Sequence, residues 1–482
     1  MTDELHWWSA TDLARAIRHG EVSAREALDH FVGRIERLDG PVNSVVHWDL
    51  DRARAAASAA DEAVVRGDEI GPLHGVPMTI KDSFQTVGCT TTSGAPELAD
   101  FVPEVDAAPV AALRAAGAIP FAKTNLPIYA GDIQSYNDVY GTTNNPHDTT
   151  RTPGGSSGGS AAALAMGFTP LELGSDIGGS IRVPAHYSGV MGHKSSFGIV
   201  PAHGQIPGPP GTLSQADLAV AGPMARSVDD LVLGLDVMSG PDRWESPAWR
   251  LDLPPARSTT LRGLRIAAWF EDETCPIDSD TTRVFDELSA SIEGAGGRVD
   301  RDARPGFSLE KAWRVFGDLL FAALSGGHPR DKIEHLALDT SDTPAGWVKR
   351  GTSARHRDWL AAHERRLQIR RAWEDFFVDV DAILLPVHPR PAIPHDHTPS
   401  QWDRRIDIGG EEKGYLDLFP WIAPAGVAYL PATVVPVGMS ADGLPIGVQI
   451  VGPYLHDLTT LALASEISDL VGGCPRPALA GN

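Results

Sequence analysis

The sequence predicts an α/β protein, and three observations carry that prediction. From residue 71 onward, short apolar runs alternate with Ala-rich helical stretches: VPMTI (76–80), APVAALRAAGA (108–118) and IPFA (119–122). Further on, DAILLP (381–386), YLPATVVPV (429–437) and IGVQIVG (446–452) have the length and residue types of buried strands. Hydrophobic residues make up 42% of the 482 positions, enough for a sizeable core and too many for a disordered chain.

The elements follow in order. Residues 9–38 read as helix: Ser23 and Glu26 stand at capping-box spacing, and Leu28, Phe31, Val32, Ile35 and Leu38 recur on one face. Ala-rich residues 52–65 read as a further helix. SSGGSAAALAMG, from Ser156, is a Ser/Gly loop running into a helix, and TPLEL (169–173) is strand-like. A second Gly/Ser loop, GSDIGGS (174–180), follows directly. Residues 241–262 form a Pro/Arg-rich connector, LRIAAW (264–269) a strand, and residues 281–295 and 355–379 helices. No repeat of 20–50 residue period is present.

Composition narrows the function. With 41 Lys+Arg against 63 Asp+Glu the net charge is −22, a balance that argues against a chain gripping phosphates or an anionic membrane surface by itself. No apolar run reaches the length of a membrane span, and MTDELHWWSATDL lacks the pattern of a signal peptide. Cys89, Cys275 and Cys474 are widely spaced and odd in number, so neither a disulfide framework nor a CxxC metal site is expected. The expected location is the cytoplasm. At about 150 residues per domain the length alone suggests three domains, a prior that single-core enzymes often break.

The chemistry concentrates in the two Gly/Ser loops, Pro153–Ser160 and Gly174–Arg182. Glycine-rich backbone that opens a helix can aim N–H groups at a developing negative charge. A phosphate cradle is not indicated, because neither GxxxxGK[ST] nor a GxGxxG after a strand occurs. Gly155–Gly159 satisfies GxSxG with Ser157 as nucleophile, but the preceding NNPHDTTRTPG cannot be the strand that a nucleophile elbow requires. A serine nucleophile needs a base, and lysine serves where burial keeps it neutral. Lys81, at the end of the apolar run 76–80, is the candidate. His395-Asp396-His397 lacks helical ligand spacing and reads as a solvated loop.

These segments resemble the amidase signature family. GVPMTIKDSF (75–84), TNLP (124–127), YGTTNNP (140–146), PGGSSGGSAAALA (153–165) and GSDIGGSIRVPA (174–185) carry the resemblance. GHKSSFG (192–198), AGPMARSVDDLVLGLDVMSGPD (221–242), DAILLP, and LPATVVPVG with GLPIGVQIVG extend it, so that it runs from about residue 10 to about residue 470. It implies a single large α/β domain with a mixed, mostly parallel twisted central sheet covered by helices on both faces. Within that domain, residues 1–70 would be a helical region packed on the core and 71–240 the signature core. Residues 241–380 would be a variable substrate-pocket region, and 381–482 would complete the same domain with strands and a helix.

By the same resemblance, Ser180 is the nucleophile, Ser156 the bridging serine joined to Gly155 by a cis peptide bond, and Lys81 the base. The N–H groups of Ile177, Gly178, Gly179 and Ser180 would form the oxyanion hole. Asp176 and Arg182 would pair to brace the second loop, with Ser157 and Ser175 as hydrogen-bonding partners. Pocket walls are expected from residues 129–136, among them Ala130, Gly131, Ile133 and Gln134, from 203–215, and from 307–347. That last segment carries Trp313, Phe316, Phe321 and Trp347, for which a plain core role is the competing reading.

The reaction implied is hydrolysis of small hydrophobic or aromatic amides, with carbamates and esters as related acyl substrates, through an acyl-enzyme and without metal or organic cofactor. The alternative is the glutaminase subunit of a tRNA-dependent amidotransferase. Val183, His193–Gly198 and Gly426 depart from the pattern of the glutaminase-like members. The expected partners are a small-molecule amide only, with no nucleic acid and no membrane, for a monomer or homodimer.

Overall fold

Eleven strands of the described residues (2–206 and 208–481) pair into one twisted sheet in the computed structural model. In chain order they are β1 (Val45–Trp48), β2 (Pro77–Lys81), β3 (Ile119–Thr124), β4 (Leu171–Asp176), β5 (Met191–Lys194) and β6 (Val220–Ala225). β7 (Ile266–Ala268), β8 (Val299–Asp300), β9 (Ala382–Pro386), β10 (Ala432–Met439) and β11 (Pro445–Val451) complete them. The spatial order is β1-β3-β2-β4-β6-β5-β10-β11-β9-β7-β8. Parallel pairing occupies two zones, β3-β2-β4 and β9-β7-β8. The strands between those zones, and the edge strand β1, pair antiparallel. The α/β single-domain expectation and its mixed sheet hold, but among the described residues antiparallel pairs outnumber parallel ones, so the sheet is not mostly parallel.

Alternation along the strands produces two cores. Met78 and Ile80 of β2 join Leu171 and Leu173 of β4 and the N-terminal helices in one apolar cluster. The other face carries Thr79 and Lys81, and it is covered by the helices that follow the two Gly/Ser loops, Gly158–Ala165 and Arg182–Ser188. Beyond them lies a second cluster, built from Trp313, Phe316, Leu320, Trp373 and Trp421. The lysine at the end of β2 therefore enters the layer between the sheet and the two loop-borne helices.

The stretch expected as one helix over 9–38 is two, Ala10–Arg18 and Ala24–Leu38. Gly20 at φ 70° turns the chain between them, and the Ser23/Glu26 capping box opens the second. Unforeseen was the helix Leu309–Leu324, capped by Ser308, which buries Trp313, Phe316 and Leu320. All three cysteines are unpaired. Among the described residues no helix is long and apolar enough to cross a membrane.

Candidate active site

Lys81 ends β2 and is fully buried. Its Nζ lies 2.7 Å from Ser156 Oγ, 2.9 Å from Ser157 Oγ and 2.9 Å from Ser175 Oγ. Burial pushes this amine down from 10.5 to about 7, against the opposing pull of Asp176 and Glu172. A neutral amine has two N–H donors and one lone pair. Three hydroxyl partners match that inventory: two can accept, and the third can donate its proton to nitrogen.

The Gly155–Ser156 peptide is cis, as expected. Only glycine fits at 155, because a Cβ there would stand 2.7 Å from the Asp132 carbonyl oxygen and 2.8 Å from the Gln134 amide nitrogen. The helix after the first loop begins at Gly158, so Ser157 caps a helix and follows no strand, which removes the nucleophile-elbow geometry. Ser157 Oγ instead belongs to the Lys81 cluster.

Ser180 closes the second loop. Its carbonyl accepts from the Ser157 N–H at 3.1 Å, which joins the two loops. Among the described residues its Oγ bonds to no protein group, so the step from Ser180 to Ser156 is open in this structure. Ser180 is 6% exposed, whereas Ser156 and Lys81 are not exposed at all.

Asp176 and Arg182 pair as expected, with Arg182 Nη2 at 3.0 Å from Oδ1 and Nε at 3.1 Å from Oδ2. Burial alone would raise this carboxyl, but Arg182, Lys194 and the Gly179 N–H more than offset it and leave it at about 2. Arg182 Nη1 reaches the Ile422 carbonyl at 2.9 Å and Gln449 Oε1 at 3.1 Å, tying the loop to β11.

This brace corrects one expectation. The Gly179 N–H donates to Asp176 Oδ1 at 2.9 Å and is turned into its own loop, so it is not free for an oxyanion. Gly179 sits at φ 101°, a conformation that glycine adopts without strain. The Ile181 N–H donates to the same carboxylate. The N–H groups of Ile177, Gly178 and Ser180 have no protein acceptor among the described residues, and these three remain free to meet a substrate oxygen.

The expected pocket walls divide. Gln134 and Phe316 are wholly buried and present no surface to a substrate, a correction to their expected role, and Ile133 is buried but for 3% of its surface. Gln134 is committed to Asp396 and Tyr415, and Phe316 packs where a Cβ on Gly426 would come within 2.7 Å of its ring. Trp313, Phe321 and Trp347 pack on one another, with ring centroids 5.2 Å and 5.3 Å apart in the two pairs that include Trp347. They are core, the plainer of the two readings. Ala130 is half-buried and Gly131 exposed. The 203–215 segment is anchored beside the exit of β2, with the Ile206 N–H on the Ser83 carbonyl, while its tip at Leu213 is exposed. Residue 207 lies outside the described residues. Leu320 is the side chain nearest to where a Cβ on Gly178 would stand, at 3.9 Å.

Sequence reasoning missed Glu172. It lies on β4 opposite Thr79, fully buried, and its Oε1 accepts from Thr79 at 2.7 Å and Thr124 at 2.9 Å. Burial pushes its carboxyl up to about 7. It is the Glu of TPLEL, between Leu171 and Leu173, where strand alternation places it on the face of Lys81.

A serine on a glycine-rich loop, a second serine held by a buried lysine, and free backbone N–H groups beside them make the apparatus of a serine hydrolase. The chain belongs to the amidase family, whose match spans residues 26–461. The A subunit of the glutamyl-tRNA(Gln) amidotransferase of Thioalkalivibrio sulfidiphilus (strain HL-EbGR7) is 34% identical, covering 96% of this chain and 97% of that protein. Its counterpart in Synechococcus sp. (strain CC9311) is 32% identical, covering 93% and 94%. A bacterial aryl acylamidase of the amidase signature enzymes superposes with a TM-score of 0.83 over 97% of each chain, at 24% identity, which shows the shared fold.

The partner expectation is thereby corrected. Relatives spanning nearly the whole chain are subunits of an amidotransferase named for a tRNA, so the exclusion of nucleic acid and of other protein partners does not stand. The net charge of −22 bears on this chain alone and says nothing about a surface supplied by another polypeptide.

Proposed function

We propose that the protein hydrolyses C–N bonds of small hydrophobic or aromatic amides through an acyl-enzyme on Ser180. The observation that carries the chemistry is the 2.7 Å contact from the buried Lys81 Nζ to Ser156 Oγ. Neutral Lys81 takes the Ser156 proton, and Ser156 takes the Ser180 proton once Ser180 Oγ turns onto it. Ser180 then attacks the carbonyl, and the N–H groups of Ile177, Gly178 and Ser180 receive the oxyanion. The proton returns to the leaving amine, and water releases the acyl group. Carbamates and esters present the same carbonyl to the same apparatus. By the family resemblance, residues 241–380 would be the region of substrate recognition.

Apolar surroundings support the hydrophobic preference. Leu320 lies over Gly178, while Val183 and Ile422 close around Gly179, where a Cβ would meet them at 2.9 and 3.2 Å. Of the departures from the glutaminase-like pattern, Val183 packs beside Gly179, whereas Gly426 packs on the Phe316 ring. The names of the curated relatives favour the second reading, a glutaminase subunit of a tRNA-dependent amidotransferase, more directly than the first. Steady-state kinetics of the purified chain on glutamine, a hydrophobic primary amide and an acyl anilide separate the two. The anilide should give the largest kcat/KM, and a largest value for glutamine would transfer the assignment to the glutaminase reading.

Glu172 supplies a second test. As a carboxylate it favours protonated Lys81, so Glu172→Gln removes a charge that opposes the working state. The acid limb of kcat/KM should then move to lower pH, by less than a permanent charge would give, because the Glu172 carboxyl is itself partly neutral near pH 7. An unmoved limb would show that Glu172 leaves the base untouched.

A further inference from the structure

The cis peptide before Ser156 is seated on residues 132–135. The Asp132 carbonyl and the Gln134 amide occupy the space where a Gly155 side chain would be. Ser135 Oγ donates to the Gly154 carbonyl at 3.0 Å and accepts from the Gly158 N–H at 3.2 Å, so it grips the loop on both sides of Ser156. The chain enters this seat through Tyr129 and Ala130, both at positive φ (51° and 57°), a conformation that local preference does not favour in non-glycine residues. Something outside the segment must hold it.

The Tyr129 N–H donates to the Ser93 carbonyl and the Ser135 carbonyl accepts from the Thr143 N–H, and the rest of the support comes from the C-terminal part of the chain. Arg404, 1% exposed, places Nη1 2.6 Å from Asp132 Oδ2, donates from Nη2 to Tyr136 Oη at 2.7 Å and from Nε to the Thr398 carbonyl at 2.8 Å. Tyr415 Oη donates to Asp132 Oδ1 at 2.7 Å. Gln134 exchanges two hydrogen bonds with the Asp396 backbone, at 2.8 and 3.0 Å, and Gln401 donates to the Gly131 carbonyl at 2.9 Å. The guanidinium also lies 5.0 Å from the centroid of the Tyr415 ring, and His397 stacks on Tyr136 at 3.8 Å. Directional bonds of this kind fix a position more sharply than apolar contact does.

We propose that Arg404 and Asp132 are positioning residues: through the seat at 132–135 they set Ser156 on Lys81, so that a segment some 270 residues away in sequence governs the proton relay. The proposal rests on the reading of Ser156 as the bridging serine. The pair touches neither Ser180 nor its N–H groups. Its effect should pass through Ser156 alone.

A double-mutant cycle tests this. The rate of fluorophosphonate labelling of Ser180, resolved into maximal rate and half-saturation, would be measured for Arg404→Gln, Ser156→Ala and the two combined, beside Tm. Arg404→Gln should lower the maximal rate about 100-fold, the scale of a misplacement near 1 Å, with half-saturation nearly unchanged. In the Ser156→Ala background it should add no further loss. Arg404→Lys should recover part of the rate, since it keeps charge but loses the fork. A rate within twofold of wild type, or an equal loss in both backgrounds, would overturn the proposal. Should Arg404→Gln fail to fold, Tyr415→Phe removes one hydroxyl of the same cage and should cost about tenfold, and an unchanged rate there would overturn it equally. A Ser156→Ala protein that labels at the wild-type rate would instead refute the bridging-serine reading, whatever Arg404 does.

Discussion

Ser180→Ala should eliminate turnover, with a loss of roughly four to six orders of magnitude, and should abolish covalent labelling by a fluorophosphonate. The expectation rests on position. Ser180 is the hydroxyl beside the unpaired N–H groups of Ile177 and Gly178, and its own N–H joins them. Ser157 is the rival for the role, but its Oγ is held by Lys81 at 2.9 Å and is wholly buried. Intact-mass measurement after labelling decides between them. A label that survives Ser180→Ala and disappears in Ser157→Ala would reassign the nucleophile.

Lys81→Ala should cost several orders of magnitude in kcat/KM, and Lys81→Arg should not restore it. Arginine stays protonated in proteins and cannot accept the Ser156 proton. The pH dependence follows in sign from the same amine. In water a lysine would place the acid limb near 10.4. Burial brings Lys81 down to about 7, so the neutral, active form dominates above that pH and is lost below it. A pH–rate profile should therefore rise through about pH 7 and level off in the alkaline range. Near-normal activity in Lys81→Arg would remove Lys81 from the mechanism.

Lys81, Ser156 and Ser180, the groups of the proposed relay, were legible through the family resemblance, because they lie inside short, unusual strings that carry it. What surrounds them was not legible. The Gly179 N–H is consumed by Asp176, three residues before it, and GSDIGGS does not show whether the carboxylate folds back on its own loop or points away. Asp132 and Arg404 meet across 272 residues of sequence, and each alone reads as a surface charge. β5 and β6 went unread for a related reason. MGHK and VAGPMA carry His, Lys, Gly and Pro, which strand patterns exclude. They are buried strands because partners exist: His193 bonds Thr433 and Asp457, and Lys194 donates to the Leu430 carbonyl. The helix 309–324 had a readable apolar spacing, but its aromatics drew attention as pocket surface when they are packing.

The helix Leu309–Leu324 lies across the glycine loop without belonging to it. Under the proposed function, bond-breaking and substrate choice are thus written in separate stretches of chain. Residues 81–182 hold the relay between sheet and loops, where Lys81, Ser156, Ser157, Asp176 and Arg182 are committed to hydrogen bonds and a single methyl at Gly155 finds no room. The covering helix contributes Leu320 by contact alone, and contacts of that kind tolerate exchange among residues of similar volume. Substitutions there can widen, narrow or redirect what is cleaved while the reaction itself is inherited unchanged. Under that reading, Leu320 is the position of this helix at which exchange would change what is cleaved with least disturbance to the relay.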